Sequence, residues 1–303
     1  MLTEAVDGLD IQPGGTYVDA TFGGGGHSRA ILSALGDGGR LFAFDQDADA
    51  EAVAEGMETG PGFTFIHENF RHLKAFLRLH GVRQVDGVLA DLGVSSHQFD
   101  TAERGFSTRL DGELDLRMDR RNPLSARDLV NDMDEEGLAR LLKMYGELPN
   151  ARQMARAIVH ARADHAIGTT QELREAVARH LPRGMENKYL AMLFQALRIE
   201  VNGELEALRA LLQQAAEMLS GGGRLVVISY HSLEDRLVKN YMRSGNFEGV
   251  VEKDFYGNPI TPLHPLKKSQ ASAAEVAVNS RARSAMLRVA EKVNTTEDGH
   301  KDN

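Results

Sequence analysis

The chain has 303 residues, 42% of them hydrophobic, with 35 Lys+Arg against 44 Asp+Glu, a formal net charge of −9 and no cysteine. That length can bury one large core or two. The lack of thiols excludes disulfides, thiolate metal sites and a cysteine nucleophile. The acidic balance argues against a generic polyanion binder and leaves room for a local basic face. With no apolar run of membrane-spanning length and no signal-peptide pattern after Met1, a cytoplasmic protein with no membrane partner is expected.

Leu2–Leu9 reads as a helical turn, and Pro13-Gly14-Gly15 as a loop. Tyr17–Phe22 then reads as a short buried strand. Gly23, Gly24, Gly25 and Gly26 follow, then His27 and Ser28, then an apolar-periodic run (Ala30, Ile31, Leu32, Leu35) ending at Gly36. The pattern is strand, tight loop, helix. Glycines allow positive φ and let a ligand approach the amides closely. Ser28 is placed to cap the helix, so that the free N–H groups of its first turn face the loop and suit a carboxylate or phosphate. A dinucleotide fingerprint fits at Gly23 and Gly25 but has Ser28 at its third position. Asp19 before the loop and Asp45 at the next strand end fit S-adenosylmethionine better. Asp19 attracts the ammonium, and the loop amides bind the carboxylate.

Arg40–Asp45 is the second strand, and Asp45 follows Gly23 by about 20 residues, the usual offset for a carboxylate on ribose hydroxyls. Asp45, Asp47 and Asp49 alternate like a calcium loop, but Ala50 and Gly56 stand where that loop needs Gly and Glu. Asp47 and Asp49 are first-turn charges of a helix running through Ala54. Phe63–His67 is a third strand. After it, Phe70 is placed either to stack on an adenine or to anchor the helix of Leu73, Phe76 and Leu77. Val85–Asp91 is a fourth strand. The βαβαβαβ order implies an α/β fold with a mostly parallel sheet, whose ligands lie beyond the carboxyl ends of the strands. Asp19, Asp45, Phe70 and Asp91 all fall there.

The next strand, Arg224–Ser229, follows Gly221-Gly222-Gly223. A normal crossover needs one helix, so roughly a hundred residues are inserted between it and Asp91. The segment 92–130 carries alternating charges, including Arg104, Asp115 and Arg117, and reads either as solvated surface or as a substrate-facing loop. Helices follow near Glu135–Tyr145 and Ala151–Ala163, the second with Arg152, Arg156 and His160 opposite Met154 and Ile158. Thr169 with Glu172 forms a capping box for a third. Asn187–Val201 is a fourth, and Asn202 is placed to cap a fifth. The divisions expected are a core in 1–102 and 201–291, a helical substrate-recognition insert in 103–200 and a disordered tail in 292–303. Ser232 is placed as the cap of a helix after the fifth strand. His231 beside it either touches substrate or is structural. Phe247–Lys253 reads as a strand, Asn258–Lys268 as a loop and Ser284–Ala290 as a final strand. There is no G-x-S-x-G and no H-E-x-x-H, so neither a serine hydrolase nor a metal site is indicated.

These motifs resemble one family. The matching stretches are Asp19–Ser28, Asp91–Ser96, Arg104–Ser107, Leu114–Asp119, Gln195–Ile199, Ile228–Arg236 and Arg281–Ser284. Spread in order over nearly the whole chain, they resemble the bacterial ribosomal small-subunit methyltransferase H (RsmH, or MraW) family. The resemblance implies a class I, Rossmann-like methyltransferase core with an inserted helical domain. It implies S-adenosylmethionine-dependent methylation of N4 of a decoding-centre cytidine in 16S rRNA, within the small ribosomal subunit. Carried over by position, the cofactor set is Gly25, Gly26, His27, Asp45, Phe70, Asp91 and Gln98. Asp91 is also the candidate catalytic residue, holding the target amine. Arg152, Arg156 and His231 are the candidate RNA contacts, with Lys188, Arg236, Lys239, Arg281 and Arg283 further backbone candidates; a homodimer is left open. Two departures stand out: relatives carry a larger residue where Gly24 stands, and an N-terminal segment before the position of Met1.

Overall fold

The computed structural model describes residues 1–57, 60 and 62–294. The chain folds as two compact units, one of Met1–Gly93 with Glu206–Asn303, the other of Val94–Leu205. The second unit begins at Val94, where the sequence put its helical insert at 103–200.

The first unit starts with α1 (Leu2–Leu9), β1 (Thr16–Asp19), α2 (Gly26–Leu35), β2 (Arg40–Asp45), α3 (Ala48–Glu55), β3 (Phe63–His67), α4 (Leu73–Leu79) and β4 (Val85–Asp91). β1 is shorter than the predicted Tyr17–Phe22, although Ala20 and Phe22 still donate to the Leu89 and Phe44 carbonyls. Helix α2 is not capped by Ser28. Its cap is Gly25, at φ 73°, where a Cβ would lie 2.9 Å from Met57 Sδ and 3.0 Å from Phe22 Cζ. Only glycine suits that backbone. Asp47 caps α3, its side chain accepting from the Asp49 amide.

The second unit holds α5 (Ser96–Asp100), α6 (Ala126–Asp132), α7 (Glu135–Met144), α8 (Ala151–Asp164), α9 (Thr170–Val177) and α10 (Glu186–Asn202). Its core joins Phe106, Leu114, Leu138, Leu142, Met154, Ile158, Leu173, Leu193 and Leu197. The Thr169–Glu172 capping box forms as read from the sequence. The segment 92–130 is more ordered than its charge pattern indicated. Arg104 is 2% exposed and donates to the Arg117 and Met118 carbonyls, so this charge organises a loop instead of facing water. Asn202 ends α10, its side chain accepting from the Met118 amide at 2.7 Å and donating to the Leu116 carbonyl at 2.8 Å.

The chain continues through α11 (Glu204–Met218), β5 (Leu219–Ser229), α12 (Ser232–Ser244), β6 (Leu263–Gln270), α13 (Ala273–Val278) and β7 (Met286–Lys292). The sheet order is β3-β2-β1-β4-β5-β7-β6. The first five strands run parallel, and β7 is antiparallel to both β5 and β6. Parallel strands covered on both faces are apolar throughout, as Val88, Leu89, Ala90, Leu225, Val226 and Val227 show with no exposure.

Three expectations fail near the end of the chain. The predicted strand Phe247–Lys253 forms only an isolated bridge, Lys253 to Pro259; Phe247 instead stacks on Tyr241, with centroids 5.0 Å apart. The predicted loop Asn258–Lys268 contains most of β6, an edge strand, where Pro265 is tolerated because edge positions can do without a donor. Lys292, assigned to the tail, ends β7 and donates to the Ala216 carbonyl at 2.6 Å. The expected disorder of 295–303 lies outside the described residues. No helix among the described residues is long and apolar enough to cross a membrane.

Candidate active site

The carboxyl ends of β1, β2 and β4 are adjacent in the sheet and each ends in aspartate. Asp19 is fully buried. It accepts from Ser28 Oγ at 2.7 Å and from the Thr21 amide at 3.1 Å. Ser28 therefore anchors the base of the glycine loop from inside α2. Asp45 accepts from the Gly23 amide at 2.8 Å and the Asp47 amide at 3.0 Å, which fixes the loop to the end of β2. The Asp91 amide donates to Thr21 Oγ1 at 2.7 Å. Its carboxylate accepts from the Tyr230 hydroxyl at 2.8 Å and lies 3.7 Å from His27 Nδ1.

Desolvation raises the proton affinity of all three acids. For Asp19 it outweighs His27, Ser28 and Thr21, which act the other way. For Asp91 it outweighs His27 and the Tyr230 hydroxyl. Asp45 is pushed up to about 6 by burial, against the bonds from the Asp47 and Gly23 amides. The Tyr230 phenol is raised by burial and by Asp91. None of the three carboxylates has a lysine or arginine partner among the described residues. His27 Nε2 is buried with no hydrogen-bond partner there. Buried polar atoms are ordinarily paired, so this nitrogen has a bond left to make with a ligand or a water. A Cβ placed at Gly24 or Gly26 meets nothing within 4 Å. Both positions thus have open space where a side chain would start, and Gly24 has room for a larger residue.

Phe70 is half-buried and opens a short 3-10 turn, Phe70–His72, capped by Asn69. Asn69 Nδ2 donates to Gln46 Oε1 at 2.6 Å. This bond ties the Phe70 segment to the residue after Asp45. Gly25, Gly26, His27, Asp45, Phe70 and Asp91 therefore lie around the same carboxyl ends. Gln98 belongs to the other unit, where it is buried and its Oε1 accepts from the Ser95 amide in the capping box of α5. Arg152 and Arg156 are exposed on α8, and Arg156 Nε lies 3.3 Å from Glu135 Oε1. His231, not the predicted Ser232, caps α12, and its Nε2 lies 3.1 Å from Glu234 Oε1.

Tyr230 is the residue that the sequence reading missed. Its ring lies against the strand exit, so that a Cβ on Gly93 would approach Tyr230 Cδ2 to 3.1 Å. The available signal was its position one residue beyond β5, beside the strand that ends in Asp91. Together, these groups offer amide donors from a glycine loop and a row of acids without fixed cations. They suit a ligand that is cationic at one end and rich in hydroxyls at the other.

A family model described as the MraW methylase family matches residues 1–293. A protein of Flavobacterium johnsoniae named ribosomal RNA small subunit methyltransferase H is 55% identical over 97% of this chain and 96% of its own length. Proteins of the same name from Bacteroides thetaiotaomicron and Cytophaga hutchinsonii are 56% and 55% identical, each over 96% of this chain and over 96% and 98% of their own lengths. A sheet-end site of this kind and a match over nearly every residue lead to one assignment: the chain belongs to the MraW methylase family.

Proposed function

We propose that this methyltransferase moves a methyl group from S-adenosylmethionine to N4 of a cytidine in the decoding centre of small-subunit ribosomal RNA. The observation that carries the reading is the set of three carboxylates around the glycine loop, Asp19 buried and Asp45 and Asp91 half-buried, each held by hydroxyls or amides and none by a lysine or arginine among the described residues. The names of the relatives supply the substrate class. Bound there, the sulfonium supplies an activated methyl group.

The chain's own residues bind and orient. Asp19 attracts the ammonium of the methionine portion, and the amides of the loop before α2 receive its carboxylate. Asp45 accepts from ribose hydroxyls, and Phe70 covers the adenine. An exocyclic cytosine amine is a poor nucleophile because its lone pair is delocalised, so alignment is the main contribution asked of the protein. Asp91 accepts an N4–H bond and takes the proton that N4 must lose. Tyr230 and His27 hold that carboxylate in place. A base inside a helix cannot reach such a site, so the target is single-stranded or extruded. Arg152 and Arg156 are offered to its backbone.

The test is transfer of a labelled methyl group into purified small ribosomal subunits, followed by nuclease digestion and location of the modified nucleoside. Label in N4-methylcytidine at one decoding-centre site is expected. Label in protein or in another base, or none, overturns the reading.

A further inference from the structure

From Phe255 to Ala290 the only acidic residue is Glu275, whereas the same stretch contains Lys267, Lys268, Arg281, Arg283 and Arg288. In a chain with a net charge of −9 this is a strong local inversion. The structure concentrates it further. Glu275 is occupied by the Met1 ammonium group. Arg288 is matched by Asp235 in two bonds of 2.7 and 2.9 Å. Lys267, Lys268 and Arg283 are exposed and have no acidic partner among the described residues.

The strand register gives this patch its position relative to Asp91. Asp91 pairs with Ile228, Ile228 with Leu287, and Leu287 with Ser269. One row of residues thus runs across four strands from the candidate catalytic carboxylate to the outer edge. Three strand spacings make that row about 14 Å long. Lys268 stands in the next row, through Val227 and Arg288, with Lys267 beside it. Arg283 lies three residues before Met286, which pairs with Ser229 and Gln270 at the same end of the sheet. Two or three nucleotides of extended backbone span such a distance. An exposed edge strand with Pro265, Lys267 and Lys268 is also poorly suited to pairing with a second copy of itself, since like charges and a missing donor oppose it.

We infer that the β6 edge, through Lys267, Lys268 and the neighbouring Arg283, binds the phosphates of the rRNA strand that carries the target cytidine. The inference rests on the reading given under Proposed function and adds a direction of approach: the strand enters over the antiparallel side of the sheet. The phosphates lie two to three nucleotides from the base held at Asp91.

The experiment compares the wild type, K267E/K268E and K267R/K268R. Co-sedimentation with small ribosomal subunits across a KCl series reads binding, and labelled methyl transfer reads kcat and KM on the same subunits. The charge reversal is expected to weaken binding and raise KM roughly tenfold, and to reduce the slope of log affinity against log salt by about 1.4, ~0.7 for each phosphate contact on a single strand. It leaves kcat and S-adenosylmethionine affinity unchanged, while the arginine pair keeps wild-type values. Unchanged binding and slope in K267E/K268E overturn the inference, as does a change in molecular mass by ultracentrifugation, which would make this edge an interface between copies. If wild-type protein binds subunits but transfers no methyl group to them, the functional reading fails instead, and co-sedimentation still decides the role of the two lysines.

Discussion

Acids are held in two ways in this protein. In the helical unit two of them meet arginines, as Asp235 meets Arg288 in the other unit. Glu204 receives Arg198 through two bonds of 2.8 Å, and Asp115 receives Arg117 through bonds of 2.6 and 3.2 Å. At the carboxyl ends of the parallel strands, Asp19, Asp45 and Asp91 are held by hydroxyls and amides, with one imidazole nearby. A carboxylate already matched by a guanidinium has little left to offer a ligand cation. One supported by neutral donors keeps its charge available and retains a high affinity for protons. The difference separates ion pairs that shape a loop from acids kept ready for chemistry.

Substitutions can break that distinction. The largest effect is expected from Asp91→Ala, which should lower kcat a hundredfold or more, measured as methyl transfer at saturating cofactor. Unchanged turnover would remove Asp91 from the chemical step. Arg198→Ala should cost about 2 kcal/mol of stability in chemical denaturation, because Glu204 loses a charge-assisted bidentate partner, with cofactor affinity untouched. A shift in cofactor affinity would mean that the two kinds of charge are not independent.

Asp45→Asn should change how stability depends on pH. The Asp45 carboxyl is pushed up to about 6 in the folded chain, above its ordinary value. The stability that its protonation contributes is therefore complete below about pH 4 and lost as pH rises through about 6. The asparagine variant is free of that ionisation but can accept from only one of the Gly23 and Asp47 amides, so its stability without ligand relative to wild type should rise by roughly 2 kcal/mol between about pH 4 and about pH 7.5 in thermal melts. Cofactor binding should weaken. Tyr230→Phe should have the smallest effect, about a tenfold loss of kcat. Its signature is the acid limb of the pH profile. The hydroxyl lowers the proton affinity of Asp91, so its removal should move that limb to higher pH, whereas a merely structural role would leave the limb in place.

The parallel half of the fold was legible because each strand is a short apolar run ending in aspartate or a polar exit, and β2, β3 and β4 have the bounds read from the sequence. The antiparallel edge was not. Strand β6 is exposed over His264–Lys268, so it carries neither an apolar run nor clean alternation, and Pro265 argued for a loop. Capping was misjudged twice, for Ser28 and for Ser232, because a neighbour (Gly25 or His231) met the backbone's need first. Tyr230 was invisible for another reason. Its partner is Asp91, 139 residues away in the chain, and only the adjacency of β4 and β5 brings them together.

The raised Asp45 carboxyl also makes association a matter of proton release. Near pH 6 it is partly protonated in the free protein and must give that proton up to accept from two ribose hydroxyls, so binding there passes protons to the buffer. Calorimetric heats of S-adenosylmethionine binding near pH 6 will therefore follow the ionisation enthalpy of the buffer chosen, and the apparent affinity will increase with alkalinity until Asp45 is fully charged.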